Sequence, residues 1–328
     1  MRVPNFWYKG PGLLAGLLLP LTFIYRFLTL IRRVTSKPYR AKVPVICIGN
    51  LTVGGTGKTP TVIALAQRLI AQGYNPAIVS RGYGGSQKGP LKVNEQIHKF
   101  SDVGDEPLLL SCIAPTWVAR NRILGIIAAV KQGANIILLD DGFQNKKIYK
   151  DISIITVDAH RGFGNGLLLP AGPLREPIHS GLSTANFLIS IGDDRAHENF
   201  IKKLSLKRKL TVIPGRLAPI KTGMDWENLT VFAFAGIGNP EKFFLTLRNL
   251  GAKVVNTIAL SDHQVFDKKL LLRLETEARE INAQLVTTEK DAIRLPDEFR
   301  KKVLSLPVRL EISNWAEIER LVEKLISL

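Results

Sequence analysis

The sequence predicts an α/β protein: a largely parallel-sheet domain, a second and smaller α/β lobe, and an apolar helix at the N-terminus. Three observations carry this. Short apolar runs without period-two alternation ("VPVICIGN", "NIILLDD", "ISIITVD", "NFLISI") read as strands covered on both faces. A helix-period segment, "TPTVIALAQRLIAQG", follows the first of them and stops at Gly73, which gives the strand–helix alternation of a wound sheet. After the polar, turn-rich stretch "PIKTGMDWENLT" (219–230) the alternation repeats on a smaller scale, through "TVFAFAG", "PEKFFLTLRNLG" and "AKVVNTIAL". The expected divisions are 1–35 for the N-terminal helix, 36–222 for the main domain and 226–328 for the smaller lobe.

The N-terminal element is "GPGLLAGLLLPLTFIYRFLTLIRR" (10–33), apolar from Leu13 to Tyr25 and then broken by Arg26. A full membrane span needs about 20 apolar residues, so this stretch is marginal as a span. Pro20 suits the first turn of a helix reaching about Arg33, with Arg26 and Arg33 on one face and Phe23, Phe27, Leu30 and Ile31 on the other. That pattern describes an interfacial helix, and the basic Lys37, Arg40 and Lys42 behind it would meet anionic headgroups. A signal peptide fits less well, because no small-x-small cleavage site follows the apolar run.

Charge supports the same partner. The chain of 328 residues carries +17, no Asp or Glu precedes Glu95, and thirteen Lys or Arg lie in residues 1–94. Such a basic half should face something anionic. No zinc-finger spacing, arginine-rich tract or RNA-binding aromatic motif supports nucleic acid, so a membrane surface is the expected partner. With only Cys47 and Cys112, a disulfide framework is not expected.

"NLTVGGTGKTP" (50–60) lies between a predicted strand and a predicted helix, the setting of a phosphate-binding loop. Thr52 stands where the common pattern opens with glycine, but the phosphate-binding groups are intact. Gly54, Gly55 and Gly57 leave the amides of residues 52–59 (Thr52, Val53 and Thr56 included) free to converge on phosphate oxygens. Lys58 would reach the outer phosphates and Thr59 would offer a hydroxyl to Mg²⁺. The main domain is therefore expected to be P-loop NTPase-like. A Mg-nucleotide needs carboxylates, and Asp140 and Asp141 end a strand where a metal-holding acid would stand. Asp105 and Glu106, ahead of another helix-like run, could equally favour a helix start or act as a base beside the metal. His263, alone in a loop, has no role on sequence grounds.

"GNLTVGGTGKTP", "SRGYGG", "GDEP", "DDGFQN", "LLLPAGPLREP", "FAGIGNP", "SDHQVF" and "TTEKDAIRLP" occur in this order over residues 49–296. Together with the apolar helix they resemble the tetraacyldisaccharide 4′-kinase family, whose loop itself has the "GGTGKT" form. The resemblance implies transfer of the ATP γ-phosphate to the 4′-hydroxyl of a lipid disaccharide 1-phosphate. It implies Mg²⁺ and the cytoplasmic face of the bacterial inner membrane, with no nucleic acid and no obligate protein partner. It implies Asp105 as base, supported by His263 and aided by Lys58, with Thr59, Glu106 and Asp140 or Asp141 near the metal. Arg81 and Arg175 are implied as substrate or phosphate contacts. The family commonly has His after "DDGFQ", where this chain has Asn145. Asn cannot carry a proton at neutral pH, so Asn145 is left out of the catalytic set. The competing reading is a membrane-associated regulatory P-loop ATPase. Its signature lysine would precede the glycine pair, and this chain has Val53 there.

Overall fold

The structure is a computed structural model and describes residues 4–10, 12–31, 37–204, 210–261 and 264–327. Its strands are β1 (Val45–Gly49), β2 (Pro76–Ser80), β3 (Leu91–Lys92), β4 (Thr116–Val118), β5 (Ile136–Asp140), β6 (Ile152–Asp158), β7 (Phe187–Ile191), β8 (Thr211–Pro219), β9 (Thr230–Ala235), β10 (Lys253–Ala259), β11 (Gln284–Thr288), β12 (Val303–Leu306) and β13 (Val308–Ile312). Nine of them form one sheet in the order β13-β8-β7-β6-β1-β5-β2-β4-β3; the other four form a second sheet, β10-β9-β11-β12. The larger sheet is parallel except at its edges, where β13 runs against β8 and β3 against β4. The smaller is parallel throughout.

Alternate residues of β1 feed opposite cores, which is why the run lacks alternation in polarity. Val45 and Cys47 pack with Ile126 and Ala129 of the helix Arg122–Lys131. Ile46 and Ile48 pack with Val62, Leu65 and Leu69 of the helix Lys58–Ala71. The strand order changes direction at β1, with β5 on one side and β6 on the other. A crevice opens at the carboxyl ends of the strands at such a point, and the glycine-rich loop leaves β1 there.

The lobe boundary differs from the sequence expectation for residues 226–328. β13 returns to the nine-stranded sheet, and Ile318 and Val322 of the final helix, Ala316–Ile326, are buried in its second core beside Leu65 and Leu69. The smaller sheet keeps its own two cores, one around Phe243, Phe244 and Leu247, the other around Leu271, Leu274 and Phe299. Two chain crossings therefore join the lobes.

The N-terminal helix spans Leu13–Ile31, so Pro20 lies inside it rather than in its first turn. Its polarity is inverted relative to a helix docked on a protein core. Ala15 and Thr22 are buried against the body, with Tyr25 half-buried, whereas Leu13, Leu14, Leu17, Leu21, Phe23, Ile24 and Phe27 are exposed. The inward contacts are hydrogen bonds to the 168–175 segment. Thr22 Oγ1 donates to Leu168 O at 3.3 Å and Tyr25 Oη to Arg175 O at 3.1 Å, while Trp7 Nε1, ahead of the helix, donates to Pro170 O at 3.0 Å. Among the described residues no helix is long and apolar enough to cross a membrane.

Candidate active site

The loop after β1 is shaped by its glycines. Gly57 caps the helix Lys58–Ala71 at φ 85°, a left-handed conformation that suits glycine. A Cβ there would also lie 2.3 Å from Ile191 Cδ1. Around it Asn50 Nδ2 donates to Gly54 O at 3.3 Å, Thr56 Oγ1 pairs with Thr156 Oγ1 at 2.9 Å, and Val53 N donates to Pro173 O at 2.8 Å. Thr52 is buried and its backbone bridges to Leu174, which seats the loop. Gly55 meets the other lobe: a Cβ on Gly238 would lie 3.3 Å from Gly55 N. Lys58 and Thr59 open the helix, whose N-terminal amides favour phosphate.

Asp140 and Asp141 end β5 in different states. Asp140 is 1% exposed, Ser80 Oγ donates to its Oδ2 at 3.0 Å, and its Oδ1 is buried with no hydrogen-bond partner. Burial first, then the charges of Glu106 and Asp141, push its carboxyl up to about 7, against the pull of Lys58 and Ser80. Asp141 has φ 47°, the left-handed region that a non-glycine residue rarely adopts. That turn aims its carboxylate at cations: Arg175 Nη1 donates to both oxygens at 3.1 Å, and Lys58 Nζ lies 4.0 Å away. Burial alone would raise Asp141, but Lys58, Arg175 and Arg122 overcome it and hold the carboxyl below its ordinary value. Arg122 braces the same turn, donating from Nη2 to Asp140 O at 3.3 Å and Asp141 O at 2.9 Å.

Across the crevice, Asp105 and Glu106 begin the helix Asp105–Ser111, where negative charge suits the helix dipole. Asp105 Oδ1 accepts from Glu106 N at 2.9 Å. Lys290 Nζ of the smaller-sheet lobe lies 3.3 Å from Glu106 Oε1 and 3.9 Å from Asp105 Oδ2. Arg294 Nε lies 3.8 Å from that same oxygen.

The fold thus brings Lys58, Thr59, Asp140, Asp141, Glu106 and Arg175 to one crevice; Glu106 is close enough for its charge to act on Asp140. Arg81, just past β2, is exposed; burial first, and the charge of Arg81 in smaller part, lower the proton affinity of Arg122, so Arg81 is within electrostatic reach of the cluster. His263 lies outside the described residues. Asn145 accepts from Lys147 N at 3.0 Å, a turn-forming role. Sequence reading missed Arg122, Gln144, Glu176, Lys290 and Arg294. Gln144 Nε2 bonds Asn50 O at 2.8 Å and Glu176 Oε1 at 3.2 Å, tying the loop after β5 to the loop after β1. Glu176 sits next to Arg175 in "LREP", and Lys290 and Arg294 lie in "TTEKDAIRLP"; those motifs were the available signal. Nothing in sequence singled out Arg122.

Comparison with known proteins points to one family. Residues 14–327 match the family model described as tetraacyldisaccharide-1-P 4′-kinase. A tetraacyldisaccharide 4′-kinase of Jannaschia sp. (strain CCS1) is 50% identical over 326 residues, covering 99% of each chain. That of Dinoroseobacter shibae is 51% identical over 322 residues, covering 96% of this chain and 94% of its own. The crystal structure of the "apo" form of LpxK from Aquifex aeolicus in complex with ATP superposes with TM-score 0.74 at 25% identity, covering 96% of this chain and 100% of that one.

Proposed function

Because this chain belongs to the tetraacyldisaccharide 4′-kinase family, it is an ATP-dependent phosphotransferase acting on a sugar hydroxyl in lipid A biosynthesis, and we propose a role for each site residue. The observation that carries the assignment is the Lys58–Asp141–Arg175 chain of charges beside the loop that leaves β1. The backbone of residues 54–59 cradles the ATP phosphates, the Val53 amide expected to join it being engaged by Pro173 O instead, and Lys58 neutralises charge that builds on the transferring group. Asp105 accepts the proton of the attacking 4′-hydroxyl late in transfer, with His263 as its support. Arg175, with Arg81, binds the anionic lipid substrate.

Mg²⁺ fits the residues present. Asp140 holds a buried oxygen without a partner, and the donor set is hydroxyl and carboxylate, hard ligands suited to that ion. Among the described residues no three His, Cys, Asp or Glu side chains converge as a ready-made cage. Nucleotide-bound Mg²⁺ takes one or two carboxylates and completes its shell with phosphate and water, so none is needed. Thr59, Asp140 and Glu106 would hold it, with Asp141 oriented toward Lys58 and Arg175. When bound, the ion offsets phosphate charge and fixes its geometry.

The inverted N-terminal helix supports docking on an anionic membrane surface, which for this substrate is the cytoplasmic face of the bacterial inner membrane. Eight large apolar side chains face outward, Leu19 among them, more than a solvated surface helix carries. The helix's inward bonds run to the segment bearing Arg175, and this supports a lipid headgroup held beside the phosphate loop.

The assignment is tested by comparing Lys58→Met with Asp105→Asn in detergent micelles. Lys58→Met should weaken both nucleotide binding and transfer. Asp105→Asn should keep nucleotide affinity and lose transfer by about 10²–10⁴-fold. Transfer at the wild-type rate in Asp105→Asn removes it as the base.

A further inference from the structure

We propose that Lys290 is a positioning residue that reaches across the cleft to orient the Asp105 carboxylate, with Arg294 as its fixed companion. This rests on the reading of Asp105 as the base. Two cations from one short stretch, Lys290 and Arg294, converge on adjacent carboxylates of the other lobe. Lys290 Nζ is 3.3 Å from Glu106 Oε1 and 3.9 Å from Asp105 Oδ2, and Arg294 Nε is 3.8 Å from Asp105 Oδ2. The Asp105 side chain is only 5% exposed. An ionised carboxylate at that depth needs opposite charge close by, and these cations supply it from a different sheet.

The two cations are mounted differently. Arg294 is fixed in its own lobe: it pairs with Asp291, donates to Gln264 O at 3.0 Å and Gly236 O at 3.2 Å, and lies over the Phe266 ring. Asp291 in turn accepts from Gly236 N at 3.0 Å and Thr288 Oγ1 at 2.7 Å. Arg294 is therefore tied to the loop whose Gly238 abuts Gly55 of the phosphate loop. Its Nε is buried and makes no hydrogen bond, and it stands about 0.8 Å beyond an ordinary bond to Asp105. Lys290 is 21% exposed, on a flexible stem, and divides itself between Asp105 and Glu106. A small tightening of the cleft satisfies the Arg294 donor, and Lys290 holds the carboxylate in line meanwhile. Losing Lys290 should then cost the transfer step and leave nucleotide affinity alone.

The test uses the full chain with Mg-ATP and the disaccharide 1-phosphate lipid in micelles. Lys290→Met keeps the stem and removes the charge. It should lower kcat by about 10- to 100-fold, as misplacement of a reacting group does, with KM for ATP within about twofold. Lys290→Arg should restore most of the rate at an unchanged Tm. In an Asp105→Asn background, Lys290→Met should remove nothing further, because it acts through that carboxylate. Wild-type kcat in Lys290→Met, a raised KM with kcat intact, or losses that multiply in the double variant would each overturn the proposal. If Asp105→Asn alone transfers at the wild-type rate, the base reading has failed and this proposal falls with it. If Asp105→Asn is slow while Lys290→Met is fast, only this proposal falls.

Discussion

Asp140 carries the site's sharpest conflict between stability and function. It ends β5 at 1% exposure with one oxygen unpartnered, and burial has pushed its carboxyl up to about 7. The sign follows from linkage. Between its ordinary value near 3.8 and about 7 the folded chain holds a proton that the unfolded chain has lost. The stability penalty is thus absent below 3.8, grows through that window and is complete above about 7. Asp140→Asn, which can keep the Ser80 hydrogen bond, should stabilise the nucleotide-free protein at pH 8 by on the order of 2–4 kcal/mol. That gain should shrink toward zero as the pH falls to about 4, while transfer activity is lost. Thermal melts of both proteins across this range measure it; a pH-independent difference would contradict the assignment. Asp140, Asp141 and Lys58 were readable in sequence because each lies in a short motif whose neighbours fix its place. Arg122 was not, and Lys290 and Arg294 stood in a recognisable motif without a role, since their contacts with Asp140 or Asp105 depend on how distant elements pack.

At the scale of elements, the phosphate loop and the N-terminal helix each have a decisive local feature. Gly57 combines φ 85° with an Ile191 methyl 2.3 Å from where a Cβ would stand. Gly57→Ala should displace the helix start and weaken ATP binding by at least about 10-fold, within the range that a backbone cost of 1–3 kcal/mol converts to. Isothermal titration with ATP measures it, and unchanged affinity would refute the role of this turn. On the N-terminal helix, Leu17 and Leu21 are exposed at 76% and 51%. Leu17→Asp with Leu21→Asp should abolish binding to anionic vesicles and leave Tm within a degree or two, since neither side chain packs on the body. Vesicle co-sedimentation and a melt test the pair; retained binding would show that this face does not meet lipid. Sequence reading found the helix but put Pro20 in its first turn. The apolar residues from Leu13 continue the helix N-terminal to it, so Pro20 lies in the interior, where it has no N–H to give the carbonyl four residues back.

On the scale of the whole molecule, two lobes share one site and are tied twice. Composition changes at 219–230, from apolar runs to turn residues, between the end of β8 in the larger sheet and the start of β9 in the smaller. The return of β13 and the last helix to the larger sheet was not. β8 carries Pro214 and Gly215, residues that weaken any reading of it as a strand, and so its antiparallel partner went unseen. Ile318 and Val322 anchor that return. Ile318→Ala should cost about 2–5 kcal/mol and lower Tm of the whole chain in one transition, because the helix seals the core behind the phosphate loop. A separate early transition confined to the smaller lobe would contradict that tie.

The most direct test of the central claim follows γ-labelled ATP with Mg²⁺ and the disaccharide 1-phosphate lipid in micelles. A site assembled as described moves label onto the 4′-hydroxyl, with little free phosphate when lipid is absent. Label released only as phosphate, with or without lipid, would contradict the account and favour a nucleotide-driven switch.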